Sequence, residues 1–325
     1  MARLHFATPL PQSTHSDVLE WRLPGKYRQY VLTGKSRAAW HTSFLIPQLN
    51  LLLDAGLCVN KQRPKHIFLT HGHTDHTLLT TAFIKRSDPP DIFCPAEMVD
   101  VLNNYLTAKT VLNLGGLRTL DGGQLDVDEE EEEEEVEDGS SHWLHTHVTH
   151  GVRPGDVVPL RRTIDFTAEA FACDHTLPCV GYVFQLNSKK LKQEYIGRKG
   201  PELKQLRESG VEITAPQTTP VFAFLGDTTA TTLAADPQWL QDGIPVVITE
   251  CSFLYEEHRA QAVKTKHTIW ADLEPVIRKW PRTTFILMHF SLRYSDEDIR
   301  RFFTGLDNPP SNMVLWIDGE PNSQL

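Results

Sequence analysis

Four side chains that can bind metal ions lie within six residues of one another in the first quarter of the chain. An apolar, strand-like run leads into the sequence His-Gly-His-Thr-Asp-His, which occupies residues 71–76. In an extended segment, residues two apart point to the same side, so His71 and His73 can hold one ion together. The turn that follows offers Asp75 and His76 to a second ion. Imidazole and carboxylate ligands suit zinc, with iron and manganese as alternatives, and this spacing favours a metal site over a histidine-rich surface loop.

Three later segments each place a further ligand-type residue at the end of an apolar run. His175 lies in a turn between two apolar segments, Asp227 follows the run at 221–225, and His289 follows the run at 284–288. Each of these residues alone is more typical of a cap or a turn than of a metal site. Together with the first cluster they complete a set of seven potential ligands, which is enough for two ions and a water molecule.

The order of these motifs resembles the metallo-β-lactamase superfamily, and their detail resembles its ribonuclease Z branch, the endonucleases that cut tRNA precursors 3′ of the acceptor stem. The strings that carry the second resemblance are Asp174-His175 before Gly181-Tyr182, His289-Phe-Ser-Leu-Arg-Tyr294, and Glu250-Cys-Ser-Phe253 with Lys266-His267-Thr268. The resemblance covers most of residues 31–294. It implies two divalent metal ions, with zinc favoured, a tRNA precursor as substrate, and a homodimer.

The resemblance also implies how the seven ligands are divided. One ion is held by His71, His73 and His175, the other by Asp75, His76 and His289, and both by a bridging Asp227. Metal ions lower the pKa of a bound water, to about 7 in the zinc case, so a hydroxide between the two ions would be the nucleophile that attacks a phosphodiester.

Further residues are predicted to handle protons and substrate. Asp75 can orient or deprotonate the attacking water, and His267, held by Glu250, matches the proton-handling pair of the ribonuclease Z branch and is the candidate donor to the leaving oxygen. The alternative for His267 alone is a surface histidine at the start of a helix. The predicted substrate contacts lie beside the ligands in sequence, and they are Tyr182, Ser291 and Arg293. A guanidinium group such as that of Arg293 can clamp a phosphate.

The ligands extend from residue 71 to residue 289, so nearly the whole chain must fold to build the site. A length of 325 residues with 40% apolar content fits a single domain over residues 1–325. Strand-like and helical runs alternate, which predicts an α/β fold, a four-layer αββα metallo-β-lactamase sandwich whose loops at one sheet edge carry the chemistry. The predicted strands are 44–46, 50–53, 67–70, 221–225, 246–249, 285–288 and 314–317. The predicted helices are 78–84, 96–106 and 271–280, with Ser295 beginning another.

Two charged stretches are predicted to be insertions in this domain. The formal charge is −10, but residues 126–138 hold 11 acidic side chains, so the rest of the chain carries +1. A like-charge run of this kind predicts a disordered, solvated loop, or alternatively an electrostatic gate that competes with nucleic acid. A compact basic insertion is predicted at about 186–215, and its seven basic residues are Lys189, Lys190, Lys192, Arg198, Lys199, Lys204 and Arg207.

The residues favour one function and leave two others open. The favoured function is a metal-dependent phosphodiesterase that acts on the 3′ end of tRNA precursors. The alternative is a hydrolase of a small ester, thioester or cyclic phosphodiester. The ribonuclease Z branch usually carries Gly-Glu-Gly-Thr-Gln after an early aspartate, whereas Asp54 is followed here by Ala-Gly-Leu. Only 51 residues separate His175 from Asp227, which is few for the branch's long RNA-gripping arm. Both observations favour the alternative. A catalytically silent binding module is disfavoured by the presence of all seven ligands.

Other clusters carry weaker signals. The histidines at 142, 145, 147 and 150 imitate a ligand pair, but an acidic stretch precedes them rather than a strand, so no metal is expected there. Five cysteines without Cys-x-x-Cys spacing predict free thiols in a reducing compartment. The N-terminal residues lack a hydrophobic signal region, and no apolar run reaches 18 residues. These features predict a cytoplasmic protein without a membrane segment, with the nucleus left open.

Overall fold

The computed structural model describes residues 18–57, 63–84, 88–113, 145–163 and 165–318. The acidic run at 126–138 lies outside these described residues. The described residues form two compact units, the first from those within 1–151, 288–309 and 315–318, and the second from those within 152–287 and 310–314. Because each unit contains segments from distant parts of the sequence, neither is a continuous stretch of chain. The single domain expected over residues 1–325 stays a prediction.

A seven-stranded mixed sheet forms the frame of the first unit, in the order β1-β2-β3-β4-β5-β6-β7. Its strands are β1 (Leu19–Arg22), β2 (Val31–Arg37), β3 (His41–Ile46), β4 (Leu51–Leu53), β5 (His66–Phe68), β6 (Asp91–Pro95) and β7 (Val148–Val152). Strands β1 to β4 are antiparallel, whereas β5 runs parallel to both β4 and β6. All residues of β3 to β6 are buried, which is typical of strands covered on both faces.

A second seven-stranded sheet has the order β14-β13-β12-β11-β10-β9-β8. Its strands are β8 (Val157–Pro159), β9 (Phe166–Ala172), β10 (Val180–Leu191), β11 (Thr214–Phe224), β12 (Val246–Glu250), β13 (Thr284–Met288) and β14 (Met313–Leu315). Strands β8 to β11 are antiparallel, and β11 pairs with β12 in parallel. The sheet buries paired aromatic side chains, since the rings of Phe184 and Phe222 stack with centroids 4.5 Å apart.

The eight α-helices of the described residues connect the strands. They are α1 (Thr74–Thr77), α2 (Val99–Asn113), α3 (Gly200–Glu208), α4 (Thr231–Ala234), α5 (Gln238–Gln241), α6 (Arg259–Thr265), α7 (Trp270–Lys279) and α8 (Asp296–Thr304). The predicted cap at Ser295 is confirmed, because its hydroxyl accepts from the Asp298 N–H and the Asp298 side chain accepts from the Ser295 N–H. The described part of the chain has no helix long and apolar enough to cross a bilayer.

One predicted helix is wrong. Residues 78–84 were expected to be helical from their apolar spacing, but the α-helix lies before them at Thr74–Thr77 and only a short 3₁₀ turn follows. The N–H of Leu79 donates to the carbonyl of Ala55 (2.8 Å). This tertiary hydrogen bond takes the place of a helical one, so the apolar residues pack without continuing the helix.

The basic stretch between β10 and β11 is more extended than the compact insertion expected from its length. Up to Leu186, strand β10 pairs with both β9 and β11, but from Asn187 to Leu191 its only described strand partner is the segment Thr214–Thr218. The two strands therefore continue past the sheet as a two-stranded ribbon, and helix α3 lies in the connection at its tip. We call residues 187–218 the basic ribbon.

In both units, predicted ligands lie just after the ends of strands. His71 follows β5, His175 follows β9, Asp227 follows β11 and His289 follows β13, while Glu250 ends β12. His289 has a φ of 58°, in the left-handed region that non-glycine residues seldom adopt. Strain of this kind persists only where surrounding contacts hold it, and it concentrates at functional sites.

Candidate active site

The first unit brings three ligand-type atoms together around one point. Asp75 Oδ2 lies 3.3 Å from His289 Nε2 and 3.7 Å from His76 Nε2, and the two histidine nitrogens lie 3.4 Å apart. Ligand atoms about 2.0–2.1 Å from one tetrahedral zinc ion would be separated by roughly 3.3–3.4 Å. The three observed separations are close to that value, so this donor set fits a divalent metal ion.

The two histidines before this group also face each other. His71 Nε2 lies 2.9 Å from His73 Nδ1, and the ring centroids are 4.7 Å apart. Their common orientation confirms that residues two apart in the segment after β5 point to the same side. His71 is fully buried, whereas His73 is partly exposed.

A buried carboxylate behind the ligands fixes which ring nitrogen each histidine presents. Asp54 Oδ2 accepts from His76 Nδ1–H (2.7 Å), and the Thr70 hydroxyl, which donates to Asp54, accepts from His71 Nδ1–H (3.0 Å). Both histidines therefore present the lone pair of Nε2. A carboxylate that accepts from the second nitrogen is the usual support of a histidine metal ligand. Burial raises the pKa of the Asp54 carboxyl, and its contacts with His76 and Thr70 oppose that shift.

Backbone contacts around residues 37–39 hold the rest of the group in place. The Ala39 N–H donates to Asp75 Oδ2 (2.8 Å) and the Ala38 N–H donates to the carbonyl of Phe290 (3.2 Å). Arg37, only 2% exposed, donates to the carbonyl of Tyr294. Gly56 is required beside this group, because a Cβ there would lie 1.8 Å from the carbonyl oxygen of Asp75.

The second unit supplies a further candidate ligand, His175, in the tautomer that leaves Nε2 free of a proton. His175 is 6% exposed, and its Nδ1–H donates to the carbonyl of Lys266 (3.1 Å), so Nε2 carries the lone pair. Burial lowers the pKa of His175, against the opposing effect of Asp227. A lowered pKa favours the neutral imidazole, which is the form that binds metal. Asp227 is 1% exposed in the same unit.

The predicted proton-handling pair is present in the second unit. His267 Nδ1–H donates to Glu250 Oε1 (2.9 Å), and Asp227 Oδ2 lies 3.9 Å from the same nitrogen. Glu250 is fully buried and accepts three more hydrogen bonds, from Thr228 N (2.7 Å), Ser252 Oγ (2.6 Å) and Thr268 N (3.0 Å). These four donors satisfy the buried carboxylate and fix its orientation towards His267.

One predicted substrate contact is buried. Tyr182 is 0% exposed and lies within β10, where it pairs with Phe224 across the sheet. It follows Gly181 directly in sequence, but the whole segment 180–184 of β10 is buried. The other two predicted contacts, Ser291 and Arg293, lie at the surface of the first unit, with the Arg293 Nε–H donating to Ser291 Oγ (3.0 Å).

The second histidine cluster has structural partners. His147 Nε2 lies 3.2 Å from Asn103 Oδ1, and burial lowers the pKa of His147 to about 4. His150 Nε2 lies 2.9 Å from Asp91 Oδ1. His145 is exposed, and His142 lies outside the described residues. Among the described residues, neither His145 nor His147 joins a group of potential metal ligands. Four of the five cysteines are described, and none of these four forms a disulfide bond, as predicted.

Several residues of the site escape sequence reasoning. Asp54, Thr70 and Ser252 orient ligands or Glu250 but bind no predicted ion themselves. For Asp54 and Thr70, the only signal in the sequence is a polar residue directly after a buried apolar run. Such residues are common at strand ends, so the signal becomes specific only when the partner is known.

Comparisons with known proteins place these features in a family context. Residues 50–161 match the sequence profile of the Metallo-beta-lactamase superfamily. The chloroplastic tRNase Z TRZ2 of Arabidopsis thaliana is 30% identical over 301 residues, covering 88% of this chain and 74% of that protein. The tRNase Z TRZ1 of the same plant is 26% identical, covering 89% of this chain and 95% of its own length. The crystal structure of the short form of human tRNase Z aligns with a TM-score of 0.46 at 16% identity, covering 80% of this chain and 92% of that one.

The profile match and the Arabidopsis thaliana relatives confirm the predicted fold class. Two mixed sheets with connecting helices are the elements of the metallo-β-lactamase fold, and the profile match lies over the segment that contains the His-x-His-x-Asp-His motif. A nuclear ribonuclease Z of Triticum aestivum is 31% identical over 191 residues, covering 57% of this chain and 92% of its own length. These named relatives are tRNase Z and ribonuclease Z proteins, which agrees with the branch that the motifs resemble.

Proposed function

The chain belongs to the tRNase Z family of the metallo-β-lactamase superfamily, and from this premise we propose that it is a metal-dependent endoribonuclease that cuts tRNA precursors at their 3′ end. The observation that carries the proposal is the hydrogen bond from His267 to the buried Glu250, beside Asp227. An RNA strand leaves as an alkoxide, which needs a proton. A histidine next to a candidate metal ligand can supply it.

We propose that the seven predicted ligands hold two divalent ions, with zinc favoured. The residues that would hold them are His71, His73, Asp75, His76, His175, Asp227 and His289. When bound, such ions activate a water molecule and neutralise charge on the phosphate oxygens. The donor chemistry supports this assignment, because His71, His76 and His175 each give their Nδ1–H to an acceptor and so present Nε2.

The chain's own groups would handle the proton that the leaving oxygen needs. Glu250 accepts from Nδ1–H of His267, so the other ring nitrogen, Nε2, is the one that can face substrate. The negative charge of Glu250 also stabilises the imidazolium form, which is the proton donor. Asp75, held by the N–H of Ala39, has its carboxylate fixed and would orient the attacking water.

The basic ribbon would contact RNA away from the chemical centre. Lys189 and Lys190 lie on its β10 strand and are exposed, and so are the basic residues at the tip, which are Arg198, Lys199, Lys204 and Arg207. A strand pair that projects past its sheet can reach along a nucleic acid, and its cations would replace counterions on the phosphates. A small ester or cyclic phosphodiester would not need such a surface.

Replacing Lys189, Lys190 and Lys192 with alanine is expected to weaken binding of a tRNA precursor and to flatten its salt dependence. For every phosphate that the variant no longer neutralises, the slope of log affinity against log salt should fall by about 0.7–0.9. Hydrolysis of bis(p-nitrophenyl) phosphate should change little. Filter binding of labelled precursor at several salt concentrations measures the slope.

The matched control removes three exposed cations elsewhere, with Arg22, Lys26 and Arg28 changed to alanine. It should leave the slope closer to wild type than the ribbon variant does. An unchanged slope in the ribbon variant would show that the ribbon does not touch phosphates. If small-ester turnover were high at the same time, the small-substrate hydrolase would become the better description.

The experiment that tests the proposed function offers two substrates to the zinc-loaded protein side by side. A tRNA precursor with a 3′ trailer should be cut once, at the end of the acceptor stem, and bis(p-nitrophenyl) phosphate should be hydrolysed as well. Hydrolysis of the small diester without any cleavage of the precursor would contradict the proposal.

A homodimer and a cytoplasmic location remain predictions; the named relatives include chloroplastic and nuclear proteins.

A further inference from the structure

A pocket of about 380 Å³ opens next to His267 in the second unit. Its walls come from three segments: Asp174 in the turn after β9, residues 229–234 at α4, and residues 259–272 around α6 and the start of α7. The volume lies near the lower end of the roughly 300–1,000 Å³ that small-molecule sites enclose. A space of this size suits one nucleoside rather than a longer piece of RNA.

The floor of the pocket is made of small apolar side chains. Ala230, Ala262 and Ile269 are 7%, 2% and 2% exposed. Alanine methyl groups leave a shallow surface on which a planar ring can lie. At the rim Val263 is 68% exposed, which leaves an apolar side chain open to solvent on a helix of the pocket wall. This lining favours an occupant with a flat apolar face.

The charges at the rim already neutralise one another. Lys266 Nζ lies 2.8 Å from Asp174 Oδ1, and both terminal nitrogens of Arg259 donate to Asp272 at 2.9 Å. The two cations are thus each paired with a carboxylate of the same pocket. A phosphate would have to break these ion pairs, whereas a neutral base and ribose can use the polar groups as they stand.

The position of His267 decides which nucleoside belongs here. A general acid must come within about 2.6–3.2 Å of the oxygen it protonates, so the sugar that carries the leaving oxygen lies directly beside it. Since Glu250 holds Nδ1 of His267, the donor edge is the Nε2 edge. The pocket is a space that His267 itself lines, in the same unit.

We propose that this pocket is a nucleoside subsite that binds the base and ribose of the nucleotide carrying the leaving oxygen. The assignment rests on the proposed function, and it adds a place for one particular nucleotide of the substrate. Binding here would hold the leaving oxygen against His267 before the bond breaks. Contact with the floor should be sequence-tolerant, because every base has a planar face.

The test uses a matched pair of alanines at the end of α4. Ala234 lines the pocket and Ala235 does not, and both are exposed, so phenylalanine at either position leaves the core intact. Ala234→Phe fills the pocket and should lower kcat/KM for a tRNA precursor by about 10- to 100-fold, as expected when one base can no longer stack. Ala235→Phe should stay within about twofold of wild type. Metal content of both variants, measured by elemental analysis, should equal that of the wild type.

A photocrosslink identifies the occupant directly. Precursors with 4-thiouridine immediately 5′ or immediately 3′ of the scissile phosphate are irradiated with wild-type protein, and the crosslinked peptides are mapped. End analysis of the products shows which oxygen leaves. Only the nucleotide that carries this oxygen should crosslink to residues 229–234 or 259–269, and Ala234→Phe should abolish that crosslink. Wild-type cleavage combined with an unimpaired Ala234→Phe variant and no such crosslink overturns the subsite alone. Absence of wild-type cleavage overturns the proposed function together with it.

Discussion

Replacing His267 with alanine is expected to lower turnover of a tRNA precursor by about 10²–10⁴-fold, the usual contribution of a general acid. His267 is 17% exposed at its side chain and donates to the buried Glu250, so it is fixed in orientation but open to substrate. The leaving RNA oxygen would then depart without a proton. Single-turnover cleavage of labelled precursor measures the loss.

The leaving group provides the internal control for this prediction. A p-nitrophenolate departs without protonation, so the His267→Ala variant should lose much less activity on bis(p-nitrophenyl) phosphate than on RNA. Metal content should equal that of the wild type, since His267 is not among the predicted ligands. Equal losses on both substrates would mean that His267 is not the proton donor.

Replacing a ligand should have the largest effect of any single change. His76→Ala removes one of the three atoms that lie 3.3–3.7 Å apart around a common point. We expect metal content to fall to about one ion per chain and RNA turnover to drop by more than about 10³-fold, because a metal ion contributes several kcal/mol to the transition state. His73→Ala should also lower the metal content.

Two further variants test the same ligand assignment, one with a smaller expected loss of metal binding and one with no expected loss. Asp54→Asn keeps the ligands but removes the carboxylate behind His76, so metal affinity should fall by about 10- to 100-fold. The joint replacement of His145 and His147 with alanine should leave the stoichiometry unchanged, because His147 is held by Asn103. Full metal content in His76→Ala, or a reduced content in the His145/His147 variant, would mean that the ligand set is wrongly assigned.

Much of the site can be predicted from the sequence because its ligands follow buried apolar runs. The runs at 246–249 and 285–288 become β12 and β13 with bounds shifted by one residue, and residues 221–224 of the run at 221–225 form the end of the longer strand β11. Such runs need no partner to be recognised, since burial on both faces makes them continuously apolar. The residues that follow them are therefore placed correctly at strand ends.

The features that the sequence does not predict depend on interactions between distant parts of the chain. Asp54 acts through Thr70 and His76, which lie 16 and 22 residues away, so nothing local distinguishes it from an ordinary turn residue. The N–H of Leu79 bonds to Ala55 instead of continuing a helix. Tyr182 lies beside the site in sequence, but it belongs to the part of β10 that is buried on both faces. The length of the basic ribbon also does not reveal that both of its strands continue past the sheet.

The most direct test of a metal-dependent RNA-processing centre is a zinc titration of chelator-stripped protein, with cleavage of a tRNA precursor as the readout. Without metal the protein should be inactive. Cleavage at the 3′ end of the acceptor stem should return as zinc is added and reach its plateau at close to two ions per chain, in line with seven available ligands. Cleavage that persists in the stripped protein, or a protein that takes up no zinc on reconstitution, would contradict this assignment.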